Sequence, residues 1–488
     1  MAQILAVDIG TTYLKAGRLG LDGKLYRVAS RELPLIQKEA GQAEHDPDIL
    51  WGQFVDAVKE VVGEKPGAVR WMVLSAYQLS LLPVDAAGRP LSGIITLLDI
   101  RPQKTFPELL ARIDSGKIYQ RTGCPPLFHY PLAKLEWLRI HRPEVFHRAR
   151  WFLDAKAYLL FRLLGKPFTE PSLATATQLM NVHTLQWDQE ILELVGLKAE
   201  CLPEVVAPEA LLGPLRPDVA EALGLPFDVE VIPGVYDGGA VGLGLGAAVP
   251  NIGAMNLGTT AMLRMVADSP IIDSSPDMRL QTYYLAGGRW FPGGAINNAG
   301  NVLKWLREEV LYLDYTQQEA LAEAVDRPTG LLFLPFLTGE RFSGISHCAS
   351  GVIFGLRSYH NRGHLLRAAM EGVAFALRLV LEALRDNGLN PLRFRAGGGG
   401  TRSELWMRIL SSVFQVPVEV PEIPEPALLG SLVLARKALG FAPDLSSVLP
   451  AVPFRLYEPV AEWVRDYEGQ FIRFRELLGD LEAAFRRS

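Results

Sequence analysis

Apolar residues in the first thirty positions occur in short runs separated by turn residues, which is typical of β-strands. The runs cover residues 4–7, 13–19 and 25–30, and they are separated by Asp8-Ile-Gly-Thr-Thr and by Asp22-Gly23. The second separator favours a tight hairpin turn in which both central residues adopt positive φ. The pattern therefore predicts a meander of three strands at the start of the chain.

Helical and strand-like segments alternate along the rest of the sequence. Helical spacing predicts helices at 48–62, at 102–164 with an interruption at 123–131, and at 298–310, 316–325 and 363–387; short apolar runs predict strands at 71–75, 331–334 and 417–420. This alternation predicts an α/β fold with helices on the faces of a sheet. The last segment, 460–487, predicts a helix that packs back on the body or, alternatively, binds a partner.

One five-residue pattern occurs twice. Asp8-Ile-Gly-Thr-Thr and Asn256-Leu-Gly-Thr-Thr lie about 250 residues apart, and each stands between two apolar runs. Generic turn chemistry is an alternative explanation for so short a match. The corresponding placement favours two related α/β domains, residues 1–248 and 249–488.

Composition and charge exclude several classes of protein. The chain has 488 residues, 49% of them hydrophobic, and its 49 Lys and Arg nearly balance its 54 Asp and Glu. This balance argues against a nucleic-acid partner, which would require a basic surface. Cys124, Cys201 and Cys348 are too far apart for a zinc knuckle and do not indicate a disulfide framework. Because the sequence also shows neither a signal peptide nor a membrane span, we expect a cytoplasmic protein.

The repeated turn has the chemistry of a phosphate site. Glycine allows the backbone to approach an anion closely, and the N–H groups of the turn join the threonine hydroxyls as donors. Two such turns across a cleft would hold the β- and γ-phosphates of a nucleotide. Asp8, present only in the first turn, suits Mg²⁺ held through water. Lys15 would place a cation on the transferred phosphoryl group, or is simply an exposed strand lysine.

Two later features also suit phosphoryl transfer. Asp237 follows the apolar strand 229–236 and precedes a glycine-rich segment that predicts a tightly packed helix. It could accept a hydroxyl proton as that oxygen attacks phosphorus, or be an ordinary helix cap. The glycine run at 397–400 lies between a strand and a helix and would admit a base or a phosphate, or be plain loop. It does not match the Rossmann pattern.

In this order, the motifs resemble the FGGY family of carbohydrate kinases, within the actin-like ATPase superfamily. The two Gly-Thr-Thr turns are similar to the family's phosphate motifs, and Gly234-Val-Tyr-Asp237-Gly-Gly-Ala is similar to the segment with its catalytic aspartate. Residues 351–371 match its long C-terminal signature. The resemblance covers nearly the whole chain. It implies two ribonuclease-H-like domains of the actin/hexokinase ATPase type, with a cleft between them.

The resemblance also implies a reaction, ATP- and Mg²⁺-dependent phosphorylation of a sugar, sugar acid or polyol, and a set of residues for it. Asp237 would be the base and Asp8 would organise magnesium. The remaining nucleotide residues that it implies are Thr11, Thr12, Lys15, Gly258 and Thr259 at the phosphates and Gly398, Gly399 and Ser403 at adenine. Because the family often forms dimers, a homodimer is an expected state.

The acceptor is less well defined. Residues 34–37, 41–47, 184–188 and 293–298, the last including Asn297 as a substrate candidate, look most like the gluconate-kinase branch, with xylulose kinases next. Where many relatives carry Gln-Met-His, this chain has Leu79 at the histidine position, which leaves Tyr77 and Gln78 as donors.

A second acceptor element differs from the family in one position. Asp99 and Arg101 match the family's Asp-x-Arg element without its preceding Trp. Arg101 suits a sugar-acid carboxylate, or belongs to an internal ion pair. The alternatives to a gluconate or xylulose kinase are a kinase for another ketose, polyol or deoxy sugar, and a silent relative that only binds nucleotide or sugar.

Overall fold

Two mixed β-sheets form the framework of the protein. The structure is a computed structural model that describes residues 2–63, 65–326, 328–441, 444–446 and 452–487. The strands of the first sheet are β1 (Gln3–Ile9), β2 (Tyr13–Gly20), β3 (Leu25–Glu32), β4 (Val69–Ala76) and β5 (Glu230–Ile232). The strands of the second are β6 (Ile252–Leu257), β7 (Ala261–Met265), β8 (Gly293–Ile296), β9 (Arg393–Gly397), β10 (Val418–Pro421) and β11 (Phe454–Tyr457).

The two sheets have the same topology. The strand order is β5-β4-β1-β2-β3 in the first and β11-β10-β9-β6-β7-β8 in the second. In each, the first strand pairs in parallel with the strand on one side and begins an antiparallel meander on the other. The second sheet differs only by the extra edge strand β11. This correspondence confirms the two-domain α/β fold that the repeated turn suggested.

Helices cover the faces of both sheets. In the first half these are α1 (Pro47–Val62), α2 (Phe106–Leu110), α3 (Ser115–Thr122), α4 (Pro131–His141), α5 (Pro143–Arg148), α6 (Ala155–Leu164), α7 (Pro171–Ala174), α8 (Gln189–Leu194), α9 (Pro217–Leu223) and α10 (Asp237–Gly244). In the second half they are α11 (Gly300–Trp305), α12 (Tyr315–Glu323), α13 (Arg362–Asp386), α14 (Glu404–Phe414), α15 (Pro426–Ala438) and α16 (Ala461–Phe485). None of the helices in the described ranges combines the length and the apolar composition that a bilayer crossing requires.

Short strands of two or three residues pair outside the main sheets. They are Leu35–Ile36, Glu44–His45, Leu82–Val84, Ile94–Ile95, Trp151–Leu153, Phe168–Thr169, Met180–Asn181, Gln186–Trp187, Glu204–Val205, Leu332–Leu334 and Val352–Phe354. Several lie in the long connection between β4 and β5, which forms a separate layer over one end of the first sheet. Of the segments that we associated with the acceptor, residues 184–188 and the Asp99–Arg101 element lie in this connection, whereas residues 34–37, 41–47 and 293–298 lie outside it.

Two details of the sequence prediction were wrong. The turn at Asp22-Gly23 is a four-residue connection in which only Gly23 has positive φ, 93°, because an aspartate adopts that conformation less readily than glycine. The predicted helical region at 102–164 contains the strand Trp151–Leu153, whose short apolar run has no helical period.

The helix predicted at 298–310 forms as α11 and continues as a π-helical turn at Leu306–Val310.

The glycine-rich segment after β5 is a helix whose small residues permit close packing. α10 crosses α15, and a β-carbon added to Gly430 would overlap the carbonyl of Ala240. α15 belongs to the second half in sequence but also contacts β1. The division at residues 248 and 249 therefore stays a prediction.

The last helix packs against the body. Tyr467, Phe471 and Phe474 of α16 are buried, and their rings lie 5.5–6.0 Å from that of Phe375 on α13. This helix therefore completes the core of the second domain, as the first of our two alternatives proposed.

Candidate active site

The repeated turns lie on one cavity. Gly10-Thr-Thr connects β1 to β2 and Gly258-Thr-Thr connects β6 to β7, at equivalent places in the two sheets. Both glycine N–H groups close their turns, on the carbonyls of Tyr13 and Thr260 at 2.9 and 3.0 Å. Both turns line a cavity of about 510 Å³ between the sheets. Its lining residues from the turns are Thr11, Thr12, Thr259 and Thr260.

Asp237 reaches the same cavity from the first turn of α10. The N-cap of this helix is Tyr236, so Asp237 is not the ordinary helix cap that we considered as an alternative. Its Oδ1 accepts the N–H of Gly238 at 2.7 Å. Burial, and next the charge of Asp8, raise the pKa of Asp237 from 3.8 to about 7. A carboxyl with this pKa is a far better base at neutral pH than an exposed aspartate.

Asp8 is the second carboxylate of the cavity. It ends β1, and the hydroxyl of Ser75 on β4 donates to its Oδ1 at 2.6 Å. Burial raises the pKa of Asp8 to about 6 despite that hydrogen bond. The Asp8 carboxylate, beside turns that suit phosphate, provides the hard oxygen ligand that Mg²⁺ prefers. Within the described ranges, no group of three or more His, Cys, Asp or Glu side chains could hold a metal ion. Water and phosphate oxygens would therefore complete the coordination.

Lys15 does not line the cavity. It lies opposite Asp8 in the β1–β2 register, and its Nζ is 2.8 Å from Oε2 of Glu425, the residue that precedes α15. Its side chain is 38% exposed. Its predicted place at the phosphates is thus not where the structure has it, because a carboxylate from the second half holds the ammonium group. A role on the phosphoryl group would require this ion pair to open.

Tyr77 and Gln78, which we predicted to bind the acceptor, line the cavity. The Tyr77 hydroxyl is 2.8 Å from Nδ1 of His45, whose Nε2 is 3.0 Å from the carbonyl of Thr11. Gln78 Nε2 donates to the carbonyl of Ser172 at 3.2 Å. The acceptor wall is therefore connected to the first phosphate turn through His45, whose role sequence reasoning missed.

Asp99 and Arg101 lie outside the cavity. The Arg101 guanidinium donates to Asp99 Oδ2 at 2.6 Å, contacts Glu44, and stacks on Trp137 at 4.4 Å. Asp99 and Arg101 are almost completely buried. The prediction that Arg101 binds a substrate carboxylate is therefore wrong for this structure; the internal ion pair, its stated alternative, is what forms. Leu97 and Leu98, just before this pair, supply the cavity wall instead.

The glycine run lies beside the second turn rather than in the cavity. Gly398 has φ 93°, and a β-carbon there would be 2.6 Å from the carbonyl oxygen of Leu257. Gly399 begins a 3₁₀ turn, and Ser403 caps α14 by accepting the N–H of Trp406 at 3.1 Å. A flat base could lie against this bare backbone, but the adenine site stays a prediction.

Asn297 is likewise outside the cavity lining. Its N–H donates to Glu340 Oε1 at 2.9 Å, and Asn298 Nδ2 donates to the carbonyl of Gly339 at 2.7 Å. The pair anchors the loop that follows Leu332–Leu334. The cavity residue from β8 is Ala295.

The cavity also contains polar residues that sequence reasoning missed. Four of them have a buried atom without a hydrogen-bond partner among the described residues: His129 Nδ1, Tyr236 OH, Arg264 Nε and Arg341 Nε. Burial lowers the pKa of His129 to about 3, so its ring is neutral. Tyr236 directly precedes Asp237 in the motif quoted above, whereas no local motif that we singled out marks His129, Arg264 or Arg341, which come from three distant segments. Unpaired buried polar atoms are rare in folded proteins and point to a ligand.

Comparison with known proteins agrees with this geometry. The profile described as "FGGY family of carbohydrate kinases, N-terminal domain" matches residues 3–244, and that of the C-terminal domain matches residues 253–439. The gluconokinase of Bacillus subtilis is 30% identical over 96% of this chain and 93% of its own.

Two crystal structures from Lactobacillus acidophilus have the same fold. A gluconate kinase superposes with a TM-score of 0.95 at 29% identity, covering 100% of this chain and 99% of its own. A ligand-bound xylulose kinase also gives 0.95 at 29% identity, and covers 100% of both chains.

Proposed function

The chain belongs to the FGGY family of carbohydrate kinases, and we propose that it transfers the γ-phosphoryl group of ATP to a hydroxyl of a small sugar or sugar acid, with Asp237 as the general base. Gluconate and xylulose are the first acceptors to test, because the similar proteins include a gluconokinase and a xylulose kinase. The observation that carries the proposal is the presence of Asp237 and both Gly-Thr-Thr turns on one cavity.

The position of Asp237 supports its role as base. Phosphoryl transfer needs a group that orients the attacking hydroxyl and takes its proton, while the phosphates are held in line. Asp237 is fixed by the Gly238 N–H and by α10, whose N-cap residue Tyr236 is itself held by the hydroxyl of Ser172 at 2.9 Å. A rigid base with a pKa near 7 can both remove a proton at neutral pH and release it afterwards.

The turns and Asp8 would serve the nucleotide. Thr11, Thr12 and Thr259 supply hydroxyl and backbone donors to the phosphates from both domains. Asp8 would hold Mg²⁺ through water, and the ion would neutralise charge on the transferred phosphoryl group. Because the two turns belong to different sheets, the triphosphate would be held only where the domains meet. This arrangement keeps water from replacing the sugar hydroxyl.

The test is ADP release, coupled to a spectrophotometric assay, with ATP and Mg²⁺ and a panel of gluconate, D-xylulose, D-glucitol and glycerol. We expect turnover of at least one acceptor, and Asp237→Asn should lower kcat by about two orders of magnitude or more. The control is Asp48→Asn, an exposed aspartate in the first turn of α1. An Asp237→Asn variant that binds ADP and keeps its kcat would refute the role as base. Absence of turnover with every acceptor, with ADP still bound, would instead support a silent relative.

A further inference from the structure

Two cations stand in the acceptor part of the cavity, and neither contacts a carboxylate. Arg264 and Arg341 both line the cavity, and both lower the pKa of Asp237, which places them within electrostatic range of the base. Arg101 and Lys15, the two cations that we predicted at the site, lie outside the cavity lining and are paired with Asp99 and Glu425. The charge available to a ligand is therefore at Arg264 or Arg341.

Arg264 is already committed to neutral acceptors. Its Nη1 donates to the carbonyls of Gln281 and Phe291 at 3.1 and 2.8 Å, and its Nη2 donates to Gln281 Oε1 at 3.1 Å. Its guanidinium also stacks on Tyr283 at 4.5 Å. These bonds fix Arg264 in the wall. Its Nε is buried without a partner, like that of Arg341, but both of its Nη atoms are already used, so it contributes mainly a positive potential.

Arg341 has the opposite character. No hydrogen bond from its guanidinium to another described residue is formed, and its Nε is buried without a partner. Burial lowers the pKa of Arg341, even though Glu340 precedes it in the chain. The Glu340 carboxylate is occupied by the backbone N–H groups of Asn297 and Arg341, at 2.9 and 2.7 Å. This loop thus directs a guanidinium into the cavity while its own acid is used elsewhere.

His129 stands near Arg341. The charges of Arg341 and Lys134 are among the causes that lower the pKa of His129, and its ring stacks on Phe128 at 4.0 Å. The ring is therefore neutral, and its unpartnered Nδ1 can bond a hydroxyl. The cavity thus combines two cations and a neutral histidine with the base and the phosphate turns.

From the unpaired guanidinium of Arg341 we infer that this residue determines acceptor specificity by pairing with the carboxylate of a sugar acid. In this arrangement His129 bonds a neighbouring hydroxyl of the acceptor, and another hydroxyl faces Asp237. A carboxylate would satisfy the buried Nε and could pair with two guanidinium nitrogens at once, a geometry that Arg favours over Lys. The inference rests on the proposed kinase function and replaces Arg101 with Arg341 as the residue for the carboxylate. A neutral sugar would leave the guanidinium without a counter-charge.

The test compares Arg341→Gln with the wild type on gluconate and on D-glucitol and D-xylulose as neutral acceptors. We expect kcat/KM for gluconate to fall about 10- to 150-fold, mostly through KM, since a charge-assisted pair is worth roughly 1.5–3 kcal/mol. The KM for ATP should stay within about twofold, and kcat/KM for any neutral acceptor should fall much less than kcat/KM for gluconate. Arg341→Lys should retain part of the gluconate activity, because it keeps the charge but not the fork. Arg465→Gln, an exposed arginine on α16, is the matched control.

Binding measured without turnover separates this inference from the kinase proposal. Calorimetry with the wild type should show gluconate binding, and D-glucitol binding at least tenfold more weakly; this arm decides the matter if Arg341→Gln does not fold. Equal affinity for gluconate and glucitol, or an Arg341→Gln variant that loses both alike, would overturn the inference while leaving the kinase proposal intact. Selective gluconate binding with no ADP release would support this inference and contradict the kinase proposal.

Discussion

Asp237→Asn should make the ligand-free protein more stable while it removes most of the activity. Asparagine has nearly the same shape, and its amide oxygen can still accept the Gly238 N–H that Asp237 accepts at 2.7 Å. What the substitution removes is a negative charge that burial and Asp8 both disfavour. The base is therefore expected to be held in place at a cost in stability, as is common in active sites.

The size and the pH dependence of this effect follow from the pKa of Asp237. A rise from 3.8 to about 7 corresponds to ~4 kcal/mol if the carboxylate were wholly enclosed. Because it faces the cavity, we expect about 2 kcal/mol. Since the pKa is higher in the folded state, the destabilisation is fully present above pH 7, shrinks as the pH falls, and vanishes below about pH 4, where the group is protonated in both states.

Urea unfolding of the two proteins in EDTA measures the effect directly. The nine tryptophans report unfolding by fluorescence, and the free energies of unfolding are compared at pH 5 and pH 8. Asp237→Asn should have a higher free energy of unfolding than the wild type at pH 8, and this gain should be clearly smaller at pH 5. The exposed Asp48→Asn should show neither the gain nor its pH dependence. Equal stability at pH 8, or a gain of the same size at both values, would show that Asp237 is not a disfavoured charge. The argument for its raised pKa would then fail.

Two further substitutions test the walls of the site. Gly398→Ala should weaken ADP binding at least tenfold in calorimetry while acceptor binding is kept, because the residue has φ 93° and a β-carbon would lie 2.6 Å from the Leu257 carbonyl oxygen; unchanged ADP affinity would remove the glycine run from the nucleotide site. Arg101→Met should lower the free energy of unfolding by about 3–5 kcal/mol, because it leaves Asp99 buried without its partner. A fully stable Arg101→Met variant would contradict the structural role of that ion pair.

The architecture was largely predictable because its signals are local. The three-strand meander, α1, α13 and the last helix all appear in the period of apolar residues, and their observed bounds lie within two residues of the prediction. The repeated Gly-Thr-Thr turn also indicated two related sheets. What local patterns could not show is that α15, late in the chain, packs on α10 and β1. Such a contact depends on small residues meeting across two domains, and no periodicity within either segment encodes it.

The same contrast between local signals and contacts of distant residues applies to the candidate site. Asp8 lies at the end of β1, Thr12 stands directly before β2, and Asp237 follows β5 by five residues, so the topology of the sheet brings them to the cavity. For Arg101, by contrast, sequence shows that a cation is present but not whether a carboxylate reaches it first. Its partner Glu44 is 57 residues away, and the sequence left open whether Arg101 binds a substrate carboxylate or belongs to an internal ion pair.

Lys15 is also paired with a carboxylate that is distant in sequence, since Glu425 lies 410 residues beyond it. Arg341 is the converse case: Glu340 is its neighbour in sequence, which would suggest a local pair, yet that carboxylate is turned to the backbone N–H of Asn297. Whether a charged side chain serves the fold or a ligand is therefore decided by which groups reach it in three dimensions. For this reason the substrate end of the cavity, built from distant loops, is where structure adds most to sequence.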